Sequence, residues 1–221
     1  MTKTPWNPLA RLTAEQREKL AAFHEHLLHI NRRINLISQD TEAAFEERHL
    51  LHSLALTYKA FPAGSAVVDW GTGGGLPALP LAICYPDVAV HAVDAVGKKV
   101  QAVQAMGRRL GLANLHPWHG RAEDWPGTAV FSVSRATAPL RDLWRWHRRA
   151  RSADVVDLEE GLWRPGLICL KGGDLDEEID ALQQAYPGVQ VETTSLLPLL
   201  GRSYFAEKVI VEVSSQAKVF R

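Results

Sequence analysis

Apolar residues recur at Leu20, Phe23, Leu27 and Ile30, the three and four residue steps that one buried helical stripe requires. Directly before them, Thr13-Ala14-Glu15-Gln16 has the form of a capping box, in which hydroxyl and amide side chains satisfy the free N–H groups of a first turn. A helix over residues 14–31 is predicted. A second helical stretch, over 41–59, carries Phe45, Leu50, Leu51, Leu54 and Leu56 and stops before Phe61-Pro62-Ala63-Gly64. The pattern then changes to short apolar runs that alternate with helix-length segments: AVVDW, then 76–84; VAVHAVD, then 96–110; LHPWHG; VFSVSRA, then 139–151; and GLICLKG.

That alternation predicts a parallel sheet with crossover helices. After a short acidic helix (DLDEEIDALQQA), the runs VQVETTSLL and YFAEKVIVEV lie too close together for another crossover, so they are expected to form an antiparallel pair at the sheet edge. The expected class is α/β and Rossmann-like, with a helical N-terminal extension (1–60) on a domain of residues 61–221.

Composition narrows the partners. The 221 residues are 46% apolar and 23% charged, close to globular averages. Twenty-five basic and 25 acidic residues cancel, so a nucleic acid must be met by a local patch and not by the field of the whole molecule. There is no apolar run long enough to span a bilayer, and the opening MTKTPWNPLARLTAEQ lacks the apolar stretch of a signal peptide. A cytoplasmic chain without a membrane segment is expected. Cys84 and Cys169 have no CxxC partner, which disfavours a disulfide framework or zinc knuckle and predicts reduced, buried thiols.

The segment DWGTGGGLP (69–77) closes the first strand of the sheet and opens its first helix. Glycines at 71, 73 and 75 remove side chains where a ligand must approach backbone, the next helix offers free N–H groups, and Pro77 suits a first helical turn. Asp94 ends the second strand about twenty residues beyond Gly75, where a carboxylate can accept from both ribose hydroxyls of an adenosine; a helix N-cap is its plainer role. There is no GxxxxGK[ST], which argues against a triphosphate site. The dinucleotide pattern is met only in relaxed form, by Gly73, Gly75 and Ala78, whereas D-x-G-x-G-x-G is met in full over 69–75. The latter resembles the S-adenosylmethionine (SAM) loop of Rossmann-like methyltransferases.

Enzymes that methylate exocyclic base amines share a (D/N)PP(Y/F) segment after the fourth strand; here 134–139 reads SRATAP. Pyrimidine C5 chemistry needs an exposed, thiolate-prone cysteine, and neither cysteine fits. Seven ordered segments are similar to the ribosomal RNA small subunit methyltransferase G family: NLIS (35–38), RHLLHSL (48–54), DWGTGGGLP (69–77), Asp94 with Gly97-Lys98-Lys99, Arg121-Ala122-Glu123, Ser134-Arg135-Ala136 and Leu170-Lys171-Gly172. The resemblance runs from about residue 31 to 171. Trp70, Ala78 and His52 depart from it, standing where a small aliphatic residue, a glycine and an aspartate are usual.

The resemblance implies SAM-dependent methylation of guanine N7 in the 530 loop of 16S rRNA, within the small ribosomal subunit. By position it implies cofactor contacts from Gly71, Leu76, Ala122, Glu123 and Arg135; the loop and strand-end reading adds Asp69, Gly73, Gly75 and Asp94 to the expected cofactor set, and His49, Lys98, Arg121 and Lys171 are the expected substrate contacts, Lys98 and Lys171 because they follow strand ends. Neutral guanine N7 already has its lone pair, so Arg135 is expected to position and no general base is needed. An ion pair with Glu123 or Asp124 is Arg135's structural alternative. His49 and His52 share a helical face and admit a metal pair, a phosphate contact or plain surface; without a third ligand, no metal is expected. Histidines 24, 26 and 29 read as a solvated face. The segment 141–151 holds five arginines, one aspartate, Trp144 and Trp146, a composition suited to phosphate contact and base stacking or to a solvated face over buried tryptophans. A monomer is expected. A non-catalytic ribosome-assembly factor and an NAD-dependent oxidoreductase are the alternatives.

Overall fold

The computed structural model describes residues 5–135, 137–152 and 159–215; Ala136 of the SRA segment lies outside them. Thr13 caps helix α1 (Ala14–Asn31) in the reciprocal box with Gln16. The Gln16 amide also donates to the carbonyls of Ile83 and Cys84 at 3.3 and 3.1 Å, which fixes the start of α1 to the end of helix α3 (Ala78–Cys84). Leu20, Phe23 and Leu27 are buried in the same apolar cluster as Val67, Val90 and Phe131 of the sheet.

The second helical stretch forms, but not as one α-helix. It is a 3-10 turn (Gln39–Ala44), a π-helical turn (Glu46–Leu51), the single α-turn α2 (His52–Leu54) and another 3-10 turn (Ala55–Thr57). Ser53 and Thr57 hydroxyls donate to the carbonyls of His49 and Leu54, each at 2.8 Å, and such local bonds compete with the regular ladder. The apolar spacing is indifferent to that competition.

The sheet has the order β3-β2-β1-β4-β5-β7-β6. Its parallel strands are β1 (Ala66–Trp70), β2 (Ala89–Asp94), β3 (Leu115–His119), β4 (Phe131–Arg135) and β5 (Gly166–Gly172). Helices α4 (Gly97–Arg109), α5 (Leu140–Ala150) and α6 (Asp176–Ala185) complete the crossovers. Strands β1, β4 and β5 are buried almost throughout, as covered parallel strands must be. The last two runs pair antiparallel as expected, with the short helix α7 (Leu196–Leu200) between β6 (Val189–Ser195) and β7 (Lys208–Ser215). Strand β7 inserts between β5 and β6, so the sheet lacks the second parallel half of a dinucleotide fold. Among the described residues no helix is long and apolar enough to cross a membrane.

Candidate functional site

Strand order reverses between β1, whose neighbour β2 leads one way, and β4, which leads the other. At such a point the crossovers diverge and leave a crevice at the carboxyl ends of the strands. Here it is a cleft of about 450 Å³ whose lining includes Gly71, Thr72, Gly73, Gly74 and Leu76 after β1, Asp94 after β2, Arg121, Ala122 and Glu123 after β3, and Arg135 and Thr137 after β4.

The glycine loop is held from both sides. Asp94 Oδ2 accepts from the Gly73 N–H at 2.9 Å and Oδ1 from the Val96 N–H at 2.8 Å; the second bond closes a turn ahead of α4 and is not an N-cap, since Val96 itself occupies that position without a side-chain bond. Asp69 is fully buried beneath the loop, with Oδ2 accepting from the Ala78 N–H at 3.2 Å; burial pushes its carboxyl up to about 7. It fastens the loop to α3 and does not line the cleft. Gly73, at φ 55°, has no atom nearer a hypothetical Cβ than the Gly71 carbonyl at 4.0 Å, so a side chain there would project into the crevice. Gly75, at φ 87°, instead lets Leu79 and Val103 pack against the turn. The expected cofactor set thus divides: Gly71, Gly73, Leu76, Asp94, Ala122, Glu123 and Arg135 line the cleft, while Asp69 and Gly75 support it.

Arg135 makes no ion pair with Glu123 or Asp124; Glu123 lies 3.7 Å from Arg145 instead. The Arg135 Nη1 donates to His49 Nδ1 at 3.0 Å and, more weakly, to the Arg48 carbonyl at 3.4 Å. His49 Nε2 lies 2.7 Å from Thr41 Oγ1. Since a guanidinium can only donate, His49 Nδ1 is the acceptor and Nε2 carries the hydrogen toward Thr41. Burial, reinforced by the charges of Arg135 and Arg48, lowers the ring's pKa to about 4. His49 is therefore a neutral, buried (8% exposed) support for Arg135 rather than a surface phosphate ligand. His52 is buried too (7%), stands edge-on to Phe205 at 5.8 Å, and is lowered to about 3 chiefly by burial.

Other expected residues go elsewhere. Lys171 is buried (9%), pairing with Glu178 at 2.9 Å and donating to the Ala138 carbonyl at 2.8 Å, so it is not a free cation for RNA. Lys98 lies in a separate groove between α1 and α4, beside His29 and Arg33; its neighbour Lys99 lines the cleft. Arg121, expected to contact the substrate, lines the cleft. His24 is half-buried and stacks on Phe45 at 4.0 Å, so only part of its histidine trio is solvated. Trp144 is buried (2%) and stacked on His147 at 5.0 Å, unavailable to a base, whereas the five arginines of 141–151 are exposed. Burial pushes both cysteine thiols up to about 12.

The cleft also contains Leu36, Lys99 and Thr137, which the sequence placed only within longer segments and gave no role, and Trp146 of the arginine-rich segment. Leu36 is delivered by Asn31, whose side-chain oxygen accepts from the N–H groups of Leu36 and Ile37 at 2.7 and 3.0 Å. Trp146 meets fully buried Trp70 edge to face at 6.1 Å, and Trp70 meets Trp125 at 5.5 Å. Trp70, an outlier to the family pattern, is thus the hub of an aromatic cluster behind the cleft. Aromatic residues inside an arginine-rich segment were the one available signal for Trp146.

A family model described as rRNA small subunit methyltransferase G matches residues 16–200. The Ribosomal RNA small subunit methyltransferase G of Salinibacter ruber is 58% identical over 216 residues, covering 97% of this chain and 100% of that protein. Its counterpart in Bacteroides fragilis is 43% identical over 168 residues, covering 76% of this chain and 80% of its own. Among solved structures, a ribosomal protein L11 methylase from Lactobacillus delbrueckii subsp. bulgaricus superposes with a TM-score of 0.55 at 15% identity, covering 76% of this chain and 78% of that one. A precorrin-6y C5,15-methyltransferase from Geobacter metallireducens reaches 0.54 at 9% identity, covering 75% and 87%. Identities this low bear on the fold alone.

Proposed function

The chain belongs to the ribosomal RNA small subunit methyltransferase G family, and from that premise we propose that it methylates N7 of a guanine in the 530 loop of 16S rRNA, with SAM as methyl donor. The observation that carries this reading is the layout of the cleft: a carboxylate, Asp94, at the end of β2, a glycine loop open at Gly73, and a guanidinium, Arg135, at the end of β4. Asp94 suits the ribose hydroxyls of an adenosine, Gly73 leaves room for its chain, and Arg135 suits a terminal carboxylate. Bound SAM supplies a methyl group already activated by its sulfonium centre.

Neutral guanine N7 presents an in-plane lone pair, so the chain's residues have no proton to remove. Their task is placement, which in favourable intramolecular cases is worth roughly 7 to 11 kcal/mol. A guanidinium that gripped both O6 and N7 of the guanine, the usual bidentate contact, would block the reacting atom. Arg135 must therefore hold O6 alone or the donor's carboxylate, and the bond to His49 restricts which of its N–H groups remain free.

On this reading the chain acts in the cytoplasm as a monomer, with residues 1–60 a helical extension on a catalytic unit of 61–221. The test mixes purified protein with methyl-labelled SAM and small ribosomal subunits from a strain lacking the modification, then maps label by cleavage specific for N7-methylguanine. Label at one guanine of the 530 loop is expected. Label elsewhere would replace the acceptor. No label, with S-adenosylhomocysteine binding retained, would favour a non-catalytic assembly factor.

A further inference from the structure

Beyond Arg135 the carboxyl edge of the sheet continues onto β5 and β7. Because β7 runs antiparallel, its first residue, Lys208, pairs with Gly172 at the end of β5 and so stands on the same edge as the cleft. The Lys208 side chain lies across Gly172, where an added Cβ would come within 2.7 Å of Nζ. Its ammonium is 5.9 Å from the Tyr204 ring centre, and the Arg48 guanidinium is 5.5 Å from the same ring. The Arg48 carbonyl accepts from Arg135 Nη1, which ties this group to the wall of the cleft.

Among the described residues neither Arg48 nor Lys208 has a carboxylate at ion-pair distance. Glu47, next to Arg48, faces Arg202 at 3.8 Å, and Glu207, next to Lys208, is exposed to solvent. His52, which feels both Arg135 and Lys208, is neutral and offers no counter-charge. Two cations are thus gathered around one half-buried aromatic ring in a chain whose basic and acidic residues are equal in number overall. Each contact with the ring is worth only about 0.5 to 1 kcal/mol at an exposed site. An anionic strand with planar bases satisfies both features: phosphates for the cations, a base face for the ring.

We propose that Arg48, Tyr204 and Lys208 form the docking site for the single-stranded RNA that flanks the target guanine, with Arg48 and Lys208 each taking a backbone phosphate. The proposal rests on the rRNA methyltransferase reading. It places the RNA on the β5 and β7 side of Arg135, opposite the ribose end of the cleft at Asp94.

The test measures binding of a fluorescent 530-loop RNA by anisotropy, with S-adenosylhomocysteine present, across a salt series for wild type, R48A/K208A and R48K/K208R. Neutralising one phosphate on a single strand contributes about 0.7 to the slope of log affinity against log salt. The alanine pair is expected to flatten that slope by about 1.4 and weaken binding at low salt, while the charge-preserving pair keeps the wild-type slope. S-adenosylhomocysteine affinity, read by calorimetry, should be equal in all three proteins, which shows that the alanine pair is folded. An unchanged slope in the alanine pair overturns the docking site. A wild type that binds the RNA here but transfers no label from methyl-labelled SAM to small subunits in the separate transfer assay overturns the catalytic reading and leaves the slope comparison to judge the docking site separately.

Discussion

Replacing His49 with leucine removes the acceptor of Arg135 while roughly keeping the buried volume. The bond lost is charge-assisted, 3.0 Å long, and shielded from solvent on the histidine side; such bonds contribute about 1.5 to 3 kcal/mol. If Arg135 positions the reacting groups, that energy appears as a fall in kcat of roughly 10- to 150-fold. Affinity for S-adenosylhomocysteine should drop much less if Arg135 holds guanine O6 and by a comparable factor if it holds the donor's carboxylate, since Asp94 and the glycine loop are untouched in either case. The partner variants separate positioning from packing: asparagine places an oxygen near the site of Nδ1 and should recover much of kcat, whereas glutamine reaches toward Thr41 and should not. Since His49 is lowered to about 4, its ionisation should add no limb to the rate profile between pH 6 and 9. Steady-state kinetics with small subunits, alongside calorimetry, reads all of these. A leucine variant within twofold of wild-type kcat, or an asparagine variant as impaired as leucine, would refute the support role.

Asp94→Ala frees the N–H groups of Gly73 and Val96 and should weaken S-adenosylhomocysteine by roughly 10- to 150-fold, at about 1.5 to 3 kcal/mol for the lost charged acceptor; unchanged affinity by calorimetry would remove the ribose assignment. Gly73→Ala and Gly75→Ala should diverge, the first abolishing ligand binding at a modest loss of Tm, the second lowering Tm more because its Cβ meets Leu79; equal behaviour in calorimetry and thermal melts would contradict the division between lining and support. Lys171→Met strips a buried partner from Glu178 and Ala138 and should cost about 1 to 3 kcal/mol of stability while the salt slope for RNA stays put; a flattened slope would restore Lys171 as an RNA ligand. His49, His52 and His147, lowered to about 4, 3 and 3 by burial, stay neutral in the fold when the unfolded chain protonates near 6.5, so each loses stability as pH falls through that window. Asp69, raised to about 7, works in the opposite sense, but the three histidines outweigh it. Each net proton is worth roughly 1.4 kcal/mol per pH unit, and urea midpoints that fail to drop between pH 7 and pH 5 would contradict the assignment.

The elements that the chain announces are those whose signal is local. Alternating apolar runs specify covered strands wherever they end up, so the parallel sheet and its edge pair were readable, as was the capping box of α1. The second helical stretch shows the limit, because its apolar spacing does not distinguish one α-helix from the succession of 3-10 and π turns that forms there. Within the cleft the boundary falls in the same place. Gly73 in the turn after β1 and Asp94 at the end of β2 lie at the ends of neighbouring strands, each in its own local motif, and they line the crevice. Lys171 also follows a strand interior, yet α6 returns Glu178 across the sheet and turns the ammonium inward. The cation that does reach that edge is Lys208, carried there by a strand of opposite direction that the motif around Lys171 cannot specify. His49 illustrates the same dependence in its chemistry: its spacing from His52 placed both on one face, but only the crossing of the N-terminal segment over β4 brings it to Arg135 and decides its tautomer. The glycine loop and Asp94 sit at turns and strand ends that the chain makes locally, whereas Arg48, Tyr204 and Lys208 belong to segments that meet only when the sheet closes, which is why the loop was readable before the fold and the grouping of those three residues was not.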